Sequence, residues 1–499
     1  MVKFFTLHQL NTVAIVGIEA MEIQVQIEIV KTIPSFVIVG MVNRCINESK
    51  DRIRAVFNSC SIAFPNGKII VNLCPASIVK EGSHYDLPII IGLLQASKIL
   101  QHTYENIIFF GELSLDGEIL MTQDILAAAL FCYRNNKKLI VHEKFYDEMV
   151  TIFQEKSHLI LVANNLLDLL AHRFKPMAIN LTPWPMVDKS WIFRDIMGQK
   201  MAKKAAAISL IGRHNILLWG PPGSGKSLLS KSLGDFALPL DQEDRLIVSS
   251  IYSKAGLLDG KLINEETFRH PHHSTSYVSL LGGGTHFKPG EISLAHKGIL
   301  FLDEIAEFSS ATLDMLRQSM EDKTIVIGRA QYNINMPCDF QLVGAMNPCK
   351  CGYYGDKKCQ CSPHSIQQYQ KKLSGPLLDR IDIKLFMGYD YEESPDPITN
   401  YYKWIQEARG FIKERNIHNI ANNNMQNSHI PLLNFSPEAI QIIDDFCHKN
   451  HISLRRKLKM LGVARSLADS EQSHGVQPHH CYTSVFFTSK SPVNNDFYN

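Results

Sequence analysis

The residues whose types and spacing most plainly do chemistry lie at 220–227. There Gly220, Pro221, Pro222, Gly223, Ser224, Gly225, Lys226 and Ser227 satisfy the pattern GxxxxGK[ST]. An apolar run ending at Trp219 precedes them, and the helix-compatible text LLSKSL follows. Glycines let the backbone curl so that its N–H groups and a helix N-terminus face phosphate oxygens. In that setting Lys226 reaches the β- and γ-phosphates of ATP and Ser227 ligates Mg2+. A second pair of groups, Asp303 and Glu304, closes the run KGILFLDE. An acid in the first of those places holds Mg2+ through its water shell, and the second polarises an attacking water.

A third group is Cys349, Cys351, Cys359 and Cys361, spaced as C-x-C, seven residues, C-x-C. Thiolates so clustered can surround one tetrahedral Zn2+, with His364 as a substitute ligand. CxC is less usual than CxxC at structural zinc, and a set of unliganded thiols is the alternative reading. His270, His272 and His273 crowd the loop FRHPHHSTS. H-x-H-H does not place two rings on one helix face at the i, i+4 spacing, so a pore or nucleotide-coupling loop is favoured over a metal site.

The elements that must position these groups can be read from periodicity. Residues 216–219 and 299–302 are short apolar runs expected to be buried strands, and FQLVGAMNP reads as another strand ending at Asn347. In open α/β sheets ligands sit at the carboxyl ends of strands, so Asp303 and Glu304 are expected beside Lys226 and Ser227. Upstream, IQVQIEIV has period two, FVIVG and KIIVNL are short apolar runs, and DLPIIIGLLQASKIL reads as a buried helix. These make a separate α/β domain over 1–180, followed by a Pro/Trp-bearing linker at 181–194. The nucleotide-binding core is expected over 195–390 with the cysteine insert at 349–361. A helical lid is expected over 391–471, and the text from 472 to 499 breaks the helical pattern and reads as a disordered tail.

Length and composition agree with several domains. The chain has 499 residues, too many for one core. Fifty-one Lys and Arg against 49 Asp and Glu leave a net charge of +2, so a nucleic-acid contact would rest on local strips rather than a global field. The candidate strips are RNNKKL, from Arg134, and LRRKLK, from Leu454 to Lys459. The second reads equally as a lid helix with a solvated face. No secretory leader and no long apolar run are evident, so a cytoplasmic protein without membrane association is expected. The seven scattered cysteines fit reduced, mostly buried thiols.

Several strings together resemble the AAA+ ATPases, and within them the magnesium-chelatase-like YifB/ComM family. They are PSFVIVG, VNLCPASIVKEG, DLPIIIGLL, GELSLDGE, GPPGSGKS, GGGTHFKPGEISLAHKGILFLDE, AMNPCKCGYYGD and SGPLLDRIDI, in this order from about Val13 to Glu471. The resemblance implies a P-loop AAA+ core with a small helical lid, preceded by a ribosomal S5 domain 2-like α/β domain similar to the Lon protease domain. It implies a ring homo-oligomer, a hexamer, that hydrolyses ATP and acts on single-stranded or branched DNA. The competence members promote branch migration during recombination of incoming DNA in natural transformation. A chelatase-type motor subunit, driving metal insertion by a protein partner, and an inactive regulatory ATPase are the alternatives.

Position by position, the resemblance makes Gly220 to Ser227 the Walker A loop and Asp303 with Glu304 the Walker B pair. It makes Asn347 sensor 1, Arg380 the arginine finger acting on a neighbouring subunit, and Arg455 sensor 2 on the lid, with Arg456 beside it. Arg317 and Arg329 are alternatives for the trans-acting group, and each arginine has a structural ion-pair reading. In the first domain VKEGSHYDLPIIIG is similar to the Lon stretch that carries the catalytic serine. Alignment of the helix starts puts Asp86 at the nucleophile position, with Ser83 nearby in the loop. A carboxylate cannot replace serine in peptide acylation, so protease activity is not expected.

Overall fold

The computed structural model describes residues 8–102, 104, 106–122, 124–174, 189, 193, 196–258, 261–284, 287–328, 333–390, 396, 398–415, 421–490 and 492. The expected linker at 181–194 falls almost wholly outside them, as does Arg329.

The first domain is built on a seven-stranded sheet. Its order is Ser35–Val39, Lys68–Cys74, Glu19–Val30, His8–Val16, Ile107–Ile108, Lys138–Val141 and Ile160–Val162. Glu19–Val30 buries Ile23, Val25 and Ile27, every second residue, as a sheet with one covered face requires. Asp86–Ala96 packs against that face and is buried from Asp86 to Gln95, which explains why its text is apolar all round. Arg44–Ser59 begins where the Asn43 side chain accepts the Ile46 N–H at 3.2 Å.

The second domain carries a five-stranded parallel sheet in the order Phe268–Arg269, Ile299–Leu302, Gln341–Met346, Ile216–Trp219, Ile383–Phe386. The three strands Ile216–Trp219, Ile299–Leu302 and Gln341–Met346 are buried throughout. Parallel pairing places all their carboxyl ends at one edge, and the next residues in the chain are Gly220, Asp303 and Asn347. The expectation of a P-loop α/β sheet with those groups at one edge therefore holds.

The helices Tyr401–Arg415, Pro437–Lys449, Leu454–Ser470 and Pro478–Ser489 form the lid. The last of them corrects the expected disordered tail from 472. Gln477 and His480 cap its start reciprocally, Cys481, Ser484 and Phe487 are buried, and Ser484 Oγ donates to Met460 O at 2.6 Å. The turn before it is held by Arg465, whose guanidinium donates to the carbonyls of Leu433 and His474 at 3.2 and 3.1 Å. The same Arg465 is buried and paired with Asp469 at 2.9 Å, and Arg415 meets that carboxylate at 2.6 Å. Buried charge of this kind is tolerated because it is paired and bonded. Among the described residues no helix is long and apolar enough to cross a membrane.

The two domains share core. Leu246, on Gln242–Ala255 of the ATPase domain, joins the apolar cluster of Leu126, Leu130 and Phe153 in the first domain. Tyr133 donates to Gln242 at 3.1 Å, Arg134 pairs with Glu243 at 2.6 Å and Lys254 with Asp124 at 3.0 Å. The leading cation of the strip RNNKKL is thus engaged by the neighbouring domain.

Candidate nucleotide site

The loop from Gly220 to Gly225 joins the buried strand Ile216–Trp219 to the helix Lys226–Ser232. Its first glycine is forced by close approach, since a Cβ on Gly220 would lie 2.0 Å from the O atom of Met387, just past the adjoining strand Ile383–Phe386. Ser224 Oγ donates to Pro221 O at 2.9 Å and Tyr389 OH to Pro222 O at 3.0 Å, so the loop is tied internally and from the side. An open pocket of about 330 Å³ lies beside it, lined by Lys226, Ser227, Asp303, Glu304 and Asn347 among others. The structure therefore brings together the loop, the two acids and Asn347.

Within the pocket Lys226 is buried, and its Nζ donates to Gly220 O at 2.8 Å and Pro221 O at 2.7 Å. Burial pushes its pKa down to about 8, against the opposing pull of Asp303. Ser227 Oγ donates to Asp303 Oδ1 at 3.1 Å, and Glu304 N donates to the same oxygen at 3.0 Å. Glu304 takes φ +50°, a left-handed conformation that costs a non-glycine residue roughly 1 kcal/mol or more. Its carboxylate is half exposed and lies 3.5 Å from His273 Nδ1.

The donor set fits Mg2+ with a polyphosphate. A serine hydroxyl and a carboxylate oxygen, already in contact, are the hard oxygens that Mg2+ prefers, and Lys226 spends its protons on carbonyls of its own loop, where phosphate oxygens would be stronger acceptors.

Arg380 and Arg455 do not line this pocket. They line a second one of about 470 Å³, where both meet Glu321. Arg380 Nη2 donates to Glu321 Oε2, its Nη1 donates to Pro376 O at 2.7 Å, and its Nε has no partner among the described residues. Arg455 Nη1 reaches Glu321 Oε1 at 3.5 Å. The Arg380 guanidinium, bonded to Glu321, holds that carboxyl below its ordinary range. Arg317 stands one turn before Glu321 on the helix Ser310–Asp322, partly buried.

Three partners escaped the sequence: Glu321, His273 as a neighbour of Glu304, and Asp382, which takes Lys459 of the lid. Only the histidine loop carried a visible signal. In the strip LRRKLK three of the four cations meet acids, Arg455 with Glu321, Lys457 with Asp444 and Lys459 with Asp382. His270 stacks on Phe301 with centroids 4.5 Å apart, and His272 bonds Ser274 at 2.8 Å. The three rings of that loop do not converge on one point, whereas the four cysteines do.

In the first domain Asp86 is buried and gripped by Arg52, with Nε to Oδ2 at 2.6 Å and Nη2 to Oδ1 at 3.0 Å. Ser83 Oγ donates to Glu112. Asp86, which the sequence resemblance sets against a protease nucleophile, is thus one half of an ion pair.

Three family models match the chain: "Magnesium chelatase, subunit ChlI" over residues 192–394, "Subunit ChlI of Mg-chelatase" over 25–144, and "Magnesium chelatase, subunit ChlI C-terminal" over 399–487. The last match runs into the helix Pro478–Ser489. Among curated proteins, the chain is 33% identical over 511 residues to "Uncharacterized protein YifB" of Salmonella typhimurium, covering 96% of both chains. It is 35% identical over 389 residues to "Competence protein ComM" of Haemophilus influenzae, covering 74% of each. To "Magnesium-chelatase 67 kDa subunit" of Chlorobaculum parvum it is 23% identical over 166 residues, 31% of this chain and 23% of that one.

Proposed function

The chain belongs to the magnesium-chelatase-like YifB/ComM family of AAA+ ATPases, and from that premise we propose that it is an ATP-hydrolysing ring motor acting on DNA. The observation that carries the reading is that the residues assigned to phosphoryl transfer line two different pockets of the same chain. Lys226, Ser227, Asp303, Glu304 and Asn347 line one pocket, and Arg380 with Arg455 lines another. Two such surfaces complete each other only when one copy meets the next, which is the logic of a ring.

Bound Mg2+·ATP supplies the transferable phosphoryl group and the charge that holds it in register. The chain's own groups do the rest. Lys226 would neutralise phosphate charge, Ser227 and Asp303 would hold the metal and its water shell, and Asn347 would orient the attacking water. Glu304, reaching into the pocket from a strained backbone, takes the proton of that water. Arg380 of one subunit offsets the charge that develops in its neighbour's site, and Arg455 acts from the same face.

For DNA as the substrate, the support is the coverage of the relatives. A competence protein matches three quarters of the chain, and the chelatase subunit matches less than a third. The first domain, read as S5 domain 2-like, would serve ring assembly or DNA contact rather than proteolysis, since its would-be nucleophile is an ion-paired aspartate.

The test is ATP turnover by the purified chain without DNA, with single strands and with a four-way junction, while strand exchange is followed. Glu304→Gln is run alongside. Junction-stimulated turnover with strand exchange, lost in the variant with nucleotide binding kept, is the expected result. Turnover indifferent to every DNA would move the substrate from DNA to a protein partner.

A further inference from the structure

The cysteine insert begins two residues after Asn347, which lines the nucleotide pocket, and its sulfurs are spaced as a tetrathiolate site would space them. Cys349 Sγ lies 3.3 Å from Cys351 Sγ and 3.8 Å from Cys359 Sγ, and Cys351 Sγ lies 3.6 Å from Cys359 Sγ. All four sulfurs, that of Cys361 included, fall within 4.8 Å of one another. A tetrahedron of Zn–S bonds of about 2.3 Å separates its sulfurs by about 3.8 Å, whereas a disulfide needs about 2.05 Å. The chain is built around the cluster. Tyr354 N donates to Cys349 Sγ at 3.2 Å, Gly352 N donates to Cys349 O at 3.0 Å, and Cys359 N donates to Asp356 O at 3.0 Å. An amide aimed at a ligand sulfur is the kind of outer contact that fixes metal-binding thiolates.

Gly352, which follows the first C-x-C and closes its turn, connects this cluster to the nucleotide loop. It takes φ +85°, and a Cβ there would sit 2.8 Å from Pro222 Cδ and 3.8 Å from Asn347 Cγ. From the other side Gln370 Nε2 donates to Pro348 O at 3.0 Å and fixes the chain between Asn347 and Cys349. The cysteine turn thus packs on the phosphate loop and on the polar residue at the end of the central strand at once.

We propose that Cys349, Cys351, Cys359 and Cys361 hold one Zn2+, and that this clip pins the phosphate loop through Gly352 and Pro222, so that loss of the metal loosens nucleotide binding. Without a metal, the four sulfurs crowd one another with little beyond backbone amides such as Tyr354 N to satisfy them. With it, thirteen residues of turn acquire a fixed shape that the few apolar side chains of the insert could not impose. The coupling to nucleotide rests on the ATPase reading of the pocket, and the metal site does not.

The experiment uses the full chain purified without added chelator. Elemental analysis should find about one zinc per chain, and replacement by Co2+ should give the intense visible absorption of a tetrahedral thiolate site. Cys351→Ser with Cys359→Ser should lose the metal, and a fluorescent ATP analogue in Mg2+ buffer should bind about tenfold more weakly. Gly352→Ala provides the variant that keeps the ligands. It should retain zinc and still bind the analogue more weakly, because its Cβ meets Pro222 and its φ of +85° strains the turn while all four ligands stay in place. Folded, metal-free protein with four titratable thiols at these positions would overturn the metal site. Zinc present, with unchanged nucleotide affinity in both variants, would overturn the coupling.

Discussion

The two pockets of the ATPase domain differ in how their charges are kept. In the pocket beside the phosphate loop, Lys226 is buried and satisfied by carbonyls of its own loop, and the acids Asp303 and Glu304 stand at strand ends with one side open. In the other pocket the arginines are tethered to an acid, since Arg380 and Arg455 share Glu321. The first is preorganised for an anion, and the second holds cations that must exchange one carboxylate for another anion. The difference teaches that a residue's role can depend on a partner outside the chain. Arg380 satisfies the description of a structural ion-pair residue and, on the proposed reading, that of a finger, and which applies depends on whether a neighbour is present.

The largest effect that would break this comparison is at Arg380. Arg380→Ala should lower turnover in assembled rings by roughly 10³- to 10⁵-fold, the range of a trans-acting arginine. Its own nucleotide pocket should be untouched, so binding of ATP should stay within a factor of a few. Mixing it with a Lys226→Ala subunit should restore part of the activity, because wherever the Arg380→Ala subunit supplies the pocket and the Lys226→Ala subunit supplies the arginine the interface is intact. No rescue, with mixed rings demonstrated by mass, would remove Arg380 from a trans role and return it to its ion pair.

A smaller effect sharpens the first pocket. Lys226 is cationic in the free protein only below its lowered pKa of about 8, and a bound polyphosphate favours the charged form and raises that pKa. The sign follows: affinity for ATP should be flat below about pH 8 and fall above it, by at most about tenfold per pH unit, while each binding event takes up a proton. Calorimetric titration in buffers of different ionisation heat measures that uptake directly. Pure pH-independence from 7 to 9.5 would place the Lys226 pKa near its ordinary value.

The same contrast governs what the sequence made legible. The first pocket was readable because each part is local: GPPGSGKS is contiguous, and DE and Asn347 each end an apolar run that can only be a buried strand. The second was not, because Glu321 lies 59 positions from Arg380 and 134 from Arg455, and no periodicity encodes a meeting at that separation. Asp86 was placed at the right point of its helix, yet its partner Arg52 lies 34 positions away and gave no sign. The closing helix Pro478–Ser489 is hidden in the sequence because its buried face is assembled from His480, Cys481, Ser484, Phe487 and Thr488. More than half of that face is polar in type, so no apolar stripe shows, although Gln477 and Pro478 mark a helix start.

The smallest effect belongs to the tether itself. The Glu321 carboxylate is half exposed, and ion pairs of that kind are worth about 0.2–1 kcal/mol. If Arg380 must leave Glu321 to serve a neighbour, that energy is spent in reaching the transition state, and removing the acid should return it. Glu321→Gln should therefore raise turnover of the ring by about 1.4- to 5-fold, with little change in ATP affinity and with weaker salt dependence. An acid that instead aims Arg380 at the neighbouring site would give the opposite sign, a fall in turnover. Combining Glu321→Gln with Arg380→Ala separates the two cases from a general loss of packing. A tether acts only through the arginines it holds, so in the double variant the Glu321 substitution can act only through Arg455 and its effect should shrink.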